Sequence, residues 1–184
     1  MKKQQQLRPG LYKSGTGFMH HYQELVRKEM IPYQYDVLWD KVPGAEKSHV
    51  IANFLNAARV LKGEKPQEEF YGMVFQDSDL AKWIEAAAFS LLNHPDSRLE
   101  KELEDVIRLI GDAQDTDGYL NTYFTLNGKE KRFKDLLEGH ELYCSGHMIE
   151  AAVAYAQATG KDSLLNIMNR NVDCIYRHFV EEKA

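Results

Sequence analysis

The sequence predicts an all-α fold built from paired helices. Apolar residues recur at helical spacing over most of the chain, and Pro- and Gly-containing stretches separate them. Two successive units each hold an Ala-rich helix, a short turn and a more polar helix: EAAAFSLL before RLEKELEDVIRLI, and EAAVAYAQATG before SLLNIMNRNVDCIYRHF. Stacked hairpins of this kind form either an open solenoid or a closed barrel of inner and outer helices. The long connections favour the barrel.

Apolar periodicity and turn residues predict six helical segments. They cover residues 18–39, 49–61, 77–93, a segment that begins at 96 or 97 and includes Gly111, a segment that begins near 136 or 140 and ends at 158, and residues 163–180. Residues 1–16 are polar and are predicted to form a tail, and residues 17–184 are predicted to form part of one barrel domain. Pro32 interrupts the first segment, which is therefore either a kinked helix or two short helices.

Short polar residues before several segments are candidate N-caps, because their side-chain oxygens can accept backbone N–H groups. The candidates are Ser48, Asp77 or Ser78, Asp96 or Ser97, and Asp162 or Ser163. Between the fourth and fifth segments, Tyr119 to Thr125 alternates in character and predicts a short extended piece. Asn127-Gly128, which follows, is a candidate hairpin turn.

Composition narrows the classes of function. The chain has a formal net charge of −5 and no basic block, which argues against nucleic-acid binding. No apolar run approaches the ~20 residues of a membrane helix, and no apolar stretch follows the charged start. The two cysteines, Cys144 and Cys174, do not make a disulfide framework and indicate a reducing compartment. We therefore expect a cytoplasmic protein that binds neither nucleic acid nor membrane.

The first candidate cluster lies where a loop enters the third helix. Phe75, Gln76, Asp77 and Asp79 place one aromatic ring, one amide and two carboxylates within five residues. Such groups can stack on a sugar ring and bond its hydroxyls, and aromatic residues make up 11% of the chain. The alternative is ordinary helix capping by Asp77 and Ser78, with most aromatic rings in the core.

The second candidate cluster is the turn around Asp115 and Asp117. Gly118 supplies conformational freedom there, so the turn can present carboxylates to a cleft. The alternative interpretation is a solvated turn without a binding role.

The third candidate cluster begins the fifth helix at His140. On a helix, His140, Cys144 and His147 share a face, because offsets of three, four and seven residues align. These side chains suit zinc, which makes a metal site one hypothesis. The second hypothesis places His140 over a substrate pocket at the helix start. The third is a core helix in which Cys144 and Gly146 allow close packing.

Several segments carry a family resemblance. The chain resembles the N-terminal portion of the bacterial β-L-arabinofuranosidase-like proteins of glycoside hydrolase family 127 over roughly residues 25–180. The matching segments are IPYQYDVLWD, SHVIANFLNAARV, EEFYGMVFQDSDLAKWIEAAAFSL, AQDTDGYLNTYF and HELYCSGHMIEAAVAYAQATGKDSLL. The most specific parts are GMVFQDSD and the HE-x-Y-x-x-GH-x-IEAAVAY pattern.

The resemblance implies an (α/α)6 barrel whose inner helices surround a sugar pocket. It implies hydrolysis of a terminal β-linked arabinofuranose with retention, through a cysteine nucleophile held on zinc with a glutamate nearby. The family's zinc ligands are a Glu-x-Cys motif and a later Cys-Cys pair, and neither occurs in these 184 residues. Cys144 and Cys174 fall outside those motifs, so this chain is expected to supply no catalytic residue and no metal ligand.

Six residues carry over from the family as candidate substrate-binding positions. His140 matches the family's substrate-contacting histidine, and the other five are Phe75, Gln76, Asp77, Glu141 and Asp117. The roles of Glu141, Asp117 and His147 are not fixed by the match.

The resulting hypothesis is an N-terminal fragment of a glycoside hydrolase that contributes a sugar-binding wall without the zinc and cysteine centre. Its expected partners are an arabinose-containing oligosaccharide and either a companion C-terminal half or further copies of itself. The alternative is a non-catalytic helical-repeat interaction protein. A zinc-binding regulator that uses His140, Cys144 and His147 is the third possibility.

Overall fold

A computed structural model describes residues 15–182, and this part of the chain is helical with no β-strand. The helices are α1 Phe18–Leu25, α2 Ile31–Leu38, α3 Val50–Leu61, α4 Asp77–Asn93, α5 Ser97–Asp112, α6 Thr122–Asn127, α7 Glu141–Thr159 and α8 Ser163–Tyr176. Residues 1–14 of the predicted polar tail lie outside the described residues. The all-α prediction is confirmed.

The segment that contains Pro32 is one helical run, because the π-helical turn Val26–Met30 joins α1 to α2 directly. Proline lacks an N–H group, and its ring crowds the carbonyl four residues earlier. A π-helical turn bonds over five residues and so relaxes this crowding. Of the two alternatives, a single distorted helix is therefore correct and two separate helices are not.

Two helical hairpins form the centre of the fold. The Ala-rich helices α4 and α7 pack extensively against each other, and α5 and α8 lie along them. The buried alanines are Ala81, Ala87 and Ala88 in α4 and Ala151, Ala152 and Ala154 in α7. These small side chains let the two helices approach closely. A salt bridge links the starts of α5 and α8, in which Lys161 Nζ lies 2.6 Å from Glu100 Oε1.

Residues 119–125 differ from the sequence prediction. Asn121 has an extended backbone, but the helix α6 begins at Thr122, so the predicted extended piece does not continue to residue 125. The Asn121 side chain caps α6 by accepting the Phe124 N–H at 3.1 Å. Asn127 ends this helix and Gly128 precedes the 3-10 turn Lys129–Lys131, so the predicted hairpin is wrong. Burial does not alternate along this stretch, because its buried residues are Tyr119, Leu120, Asn121, Thr122, Phe124 and Thr125.

The predicted caps are partly correct. Asp96 caps α5, since its Oδ1 accepts the N–H groups of Arg98 at 2.9 Å and Leu99 at 3.2 Å. Gln76 is the N-cap of α4 and makes no side-chain cap bond, so the prediction that Asp77 or Ser78 caps this helix is wrong. Asp162 holds the N-cap position of α8, also without a side-chain bond.

The start of α3 is held from a distance. His49 is its N-cap in the left-handed conformation at φ 56°, and the helix begins at Val50. The Asp40 carboxylate accepts the N–H groups of Ser48 at 2.6 Å and His49 at 3.1 Å. The Ser48 hydroxyl accepts the Val50 N–H at a longer distance, 3.4 Å. The shorter bonds at this helix start are therefore those that Asp40 accepts. No described helix is long and apolar enough to cross a membrane.

Candidate functional site

The candidate site lies where the first turns of α4 and α7 meet. Phe75, His140, Tyr143 and His147 form an aromatic cluster there. Ring centroids are 5.2 Å apart for Phe75 and His140, 5.8 Å for His140 and Tyr143, and 4.6 Å for Tyr143 and His147. Two of the sequence-predicted residues, Phe75 and His140, are thus brought together across the two helices. Edge-to-face rings leave open faces on which a sugar can stack.

His140 occupies a strained position at the entrance to α7. Its φ of 52° is left-handed, which L-residues other than glycine rarely adopt and which costs about 1 kcal/mol. Its Nδ1 lies 2.8 Å from the Glu138 carbonyl oxygen, so Nδ1–H is the donor in the neutral ring. The lone pair of the neutral ring is then on Nε2, which can accept a hydrogen bond from a hydroxyl group.

Glu141 is turned into the protein and is only 2% exposed. Its carboxylate accepts the Tyr119 hydroxyl and, at 2.8 Å, the Phe133 N–H. Burial is the main cause that raises the pKa of Glu141. The Arg132 guanidinium lies 3.8 Å from the centroid of the Tyr119 ring. Glu141 therefore fixes residues 119 and 133 to the start of α7.

Asp77 has the corresponding position at the start of α4. Its carboxylate accepts the Thr122 N–H at 2.7 Å and the Thr122 hydroxyl at 2.5 Å. Burial raises the pKa of Asp77 to about 6, although both Thr122 bonds favour the ionised form. Asp77 thus attaches α6 to α4, just as Glu141 attaches the preceding loop to α7.

Gln76 is also engaged within the protein. Its Nε2 donates to the Ser48 carbonyl at 3.0 Å, and its Oε1 accepts the Met73 N–H at 2.9 Å. Gly72 makes this arrangement possible, because its φ is 107° and a Cβ there would lie 2.6 Å from Gln76 Oε1. Gln76 therefore fixes the loop that carries Phe75.

Asp117 lies apart from the aromatic cluster. Its Oδ1 accepts the Tyr119 N–H at 2.8 Å, and Arg132 Nη1 is 3.4 Å from its Oδ2. It lines a separate cavity of about 520 Å³ with Phe133 and His178. The structure thus brings Phe75 and His140 together but does not bring Asp117 to them.

Sequence reasoning missed Tyr143 and Lys82 and did not connect Asp79 to them. Lys82 Nζ donates to the Tyr143 hydroxyl and to the Ser78 hydroxyl, each at 3.1 Å. Partial burial raises the pKa of Asp79, whose carboxylate lies 3.9 Å from Lys82. The available signal was the helical offset, since Tyr143 follows His140 by three residues and Lys82 follows Ser78 by four.

An open groove begins at Lys82. It has a volume of about 1170 Å³ and runs between α2, α4 and the loop before α4. Tyr33, Tyr71, Met73 and Trp83 line its apolar part, and Gln76 lines its polar part. Lys82 therefore borders this groove and also contacts Tyr143 of the aromatic cluster.

The metal hypothesis is not supported by the geometry. Among residues 15–182, no three His, Cys, Asp or Glu side chains are grouped as metal ligands. His140 precedes α7 rather than lying on its face, and His147 Nδ1 is 3.3 Å from Glu150 Oε2. Cys144 is 4% exposed, and burial raises its pKa, which disfavours the thiolate that zinc requires. The described residues therefore do not fit a zinc ion.

Comparison with known proteins identifies the family. Residues 13–184 match the family described as β-L-arabinofuranosidase, GH127 catalytic domain. The chain belongs to this family. Its GH127 relatives include the non-reducing end β-L-arabinofuranosidase of Bifidobacterium longum subsp. longum, which is 36% identical over 183 residues. That match covers 91% of this chain and 27% of the relative.

Two solved GH127 structures are similar to the chain. A β-L-arabinofuranosidase from Geobacillus stearothermophilus T6 has 53% identity and a TM-score of 0.81, over 88% of this chain and 25% of that one. A second GH127 β-arabinofuranosidase has 33% identity and a TM-score of 0.78, over 90% of this chain and 26% of that one. These matches confirm the family resemblance and the helical-hairpin fold class. The chain spans about a quarter of the length of these relatives.

Proposed function

We propose that the chain contributes a sugar-binding wall to a GH127 β-L-arabinofuranosidase-like protein whose substrate carries a terminal β-linked arabinofuranose. The observation that carries this proposal is the aromatic cluster of Phe75, His140, Tyr143 and His147. It stands on the starts of two parallel Ala-rich helices and is open on one side, because Tyr143 is 43% exposed. Residues 17–184 are then part of an (α/α)6 barrel.

Within this wall, the six predicted substrate residues have two kinds of role. Phe75 and His140 contact the sugar: the Phe75 ring stacks on it, and His140 Nε2 accepts a hydrogen bond from one of its hydroxyl groups. Tyr143 and Lys82 supply further hydrogen-bonding groups. Gln76, Asp77 and Glu141 position the contacting residues, because their polar atoms are bonded inside the protein. Asp117 has a more remote role through the turn that holds Tyr119.

Catalysis requires further residues from a longer protein or a companion chain. The 184 residues contain no Glu-x-Cys motif and no Cys-Cys pair. Both thiols are buried, and burial raises the pKa of Cys144 and of Cys174. A high pKa keeps a thiol protonated and weakly nucleophilic, which supports a catalytic cysteine and zinc supplied from elsewhere. We also propose that the protein is cytoplasmic, since its two free cysteines suit a reducing compartment.

Sugar binding tests the proposal directly. Ligand-observed NMR with methyl β-L-arabinofuranoside should show saturation transfer to the sugar in the presence of the 184-residue chain. His140→Ala should abolish this signal, because it removes Nε2 and the ring beside Phe75. His94→Ala is the matched control, since His94 follows the other end of α4 and pairs with Glu24. No transfer with the unaltered chain, or equal transfer with His140→Ala, would rule out the wall.

An interaction protein is the second candidate, favoured by exposed apolar residues on α1. Phe18 is 72% exposed and Met19 is 70% exposed. Exposed apolar patches mark contacts with other proteins. This candidate gains weight if the chain binds no pentose and light scattering shows oligomers that Phe18→Ser dissociates.

A further inference from the structure

The turn that precedes His140 is held by a single residue. Asp135 Oδ1 accepts the N–H groups of Leu137 at 3.1 Å and Glu138 at 3.0 Å. The backbone oxygen of Asp135 accepts the next N–H group, that of Gly139, at 2.9 Å. Asp135 therefore fixes three consecutive N–H groups immediately before the histidine that the proposed function assigns to the sugar.

The last of these bonds sets the direction of a carbonyl group. The Gly139 N–H and the Glu138 C=O belong to one planar trans peptide, so they point in opposite directions. Because Asp135 holds the N–H, the C=O is directed at His140, and its oxygen lies 2.8 Å from Nδ1. A carbonyl oxygen can only accept a hydrogen bond, so the proton of the neutral ring is on Nδ1.

Gly139 supplies a second, independent observation. A Cβ at this position would overlap the backbone oxygen of Asp135 and would lie 3.2 Å from Phe124 Cζ. Only glycine lets the chain pass this close to Asp135. The residue type at position 139 thus suits the same bond that orients the Glu138 carbonyl.

Burial of apolar side chains contributes little to this turn. Leu136 is 49% exposed and Leu137 is 80% exposed, and Asp135 itself is exposed. The hydrogen bonds of Asp135 therefore hold the turn, and the core does not depend on it. Loss of the Asp135 side chain should change the surroundings of His140 with little effect on the stability of the whole chain.

We propose that Asp135 is a positioning residue for sugar binding: through Gly139 and the Glu138 carbonyl, it keeps the proton of neutral His140 on Nδ1 and the lone pair on Nε2. This inference rests on the proposed function, in which Nε2 accepts a hydrogen bond from the sugar. An unconstrained neutral imidazole can carry its proton on either nitrogen, and a proton on Nε2 would make that atom a donor. Asp135 thus makes the site select a sugar hydroxyl that donates.

The ¹⁵N chemical shifts of the imidazole ring report the tautomer directly. We use the 184-residue chain with ¹⁵N-labelled histidine at about pH 8.5, where an ordinary histidine is neutral. The His140 signals, assigned by their absence in His140→Ala, should show the proton on Nδ1. Asp135→Ala should give a mixture of tautomers. It should also weaken binding of methyl β-L-arabinofuranoside about fivefold to tenfold in a saturation-transfer titration, because the apparent Kd rises as the competent fraction falls.

Two further variants separate positioning from folding. Asp135→Asn should restore the tautomer and the affinity, because the amide oxygen can accept the same two N–H groups. Asp162→Ala is the matched control and should change neither, since Asp162 is also an exposed aspartate before a helix but its side chain makes no capping bond. Asp135→Ala should lower Tm by no more than about 4 °C.

A proton on Nε2 of His140 in the unaltered chain would overturn the proposal. So would an Asp135→Ala chain whose tautomer or affinity is unchanged, and a much larger fall in Tm would make Asp135 a residue of the fold and overturn it too. If the unaltered chain binds no arabinofuranoside, the proposed function fails, whereas the His140 tautomers of the unaltered chain and Asp135→Ala still judge the role of Asp135.

Discussion

Asp77 allows the strongest test of how the site is held together. Its carboxylate is 6% exposed, and burial raises its pKa to about 6 from a usual value of 3.8. Between these two pH values the folded chain binds more protons at Asp77 than the unfolded chain does. The free energy of unfolding therefore falls as pH rises through this window. The full difference is on the order of 3 kcal/mol, at about 1.4 kcal/mol per pH unit.

The matching substitution is Asp77→Asn, which cannot ionise. Its side-chain oxygen can still accept the Thr122 N–H, and the Thr122 hydroxyl can rotate to accept from the amide. We expect the stability of the variant relative to the unaltered chain to rise between pH 4 and pH 7, by up to about 3 kcal/mol. Urea unfolding monitored by circular dichroism at half-unit pH intervals measures this difference. Taking the difference cancels the contributions of other titrating groups.

Two further variants sharpen the assay. Thr122→Val removes the hydroxyl that favours the ionised carboxylate, so the transition should move to higher pH. Asp173→Asn is the control, because Asp173 is exposed on α8 and lies outside the site. Parallel stability curves for Asp77→Asn and the unaltered chain would refute the reasoning, since they would show that Asp77 ionises equally in both states.

Two other substitutions test the remaining parts of the site. Tyr119→Phe removes the hydroxyl bond to the buried Glu141 carboxylate and should cost about 2 kcal/mol of stability in urea unfolding; a loss below 0.5 kcal/mol would mean that the Phe133 bond suffices alone. His140→Gly should keep the free energy of unfolding within about 1 kcal/mol, because relief of the left-handed strain offsets the lost ring contacts, yet it should abolish sugar binding. A large loss of stability in His140→Gly would show that the ring is needed mainly for the fold.

The parts of the fold that depend on neighbouring residues could be predicted from the sequence. Asp96 followed by an apolar stripe gave the start of α5, and the spacing of alanines gave the inner helices α4 and α7. The sequence pattern was misleading where a contact with a residue distant in sequence determines the local conformation. The sequence of residues 119–125 resembles a strand, but the Asn121 cap and the contact between Asp77 and Thr122 accompany a helix that begins at Thr122. That contact spans 45 residues and leaves no local signature.

The candidate site shows the same division. Phe75 and His140 were predicted from motifs, and the structure places their rings together. Asp77 and Glu141 also have side chains that could bond a sugar, but both are buried. The sequence alone does not show this difference in burial. Tyr143 and Lys82 were missed because each looks like an ordinary exposed helical residue until the two helices meet.

The two buried carboxylates, Asp77 and Glu141, explain why loss of the local fold should also mean loss of sugar binding. An acidic residue at a helix start usually bonds the free N–H groups of its own helix. Asp77 and Glu141 instead bond residues 122, 119 and 133, which belong to the intervening segment. That segment leads directly to His140, whose left-handed backbone needs support from its surroundings. The aromatic cluster thus has its geometry only when both side chains reach their partners, so sugar binding should be lost in Asp77→Ala and Glu141→Ala, and it should persist in Asp77→Asn, which keeps the Thr122 bonds.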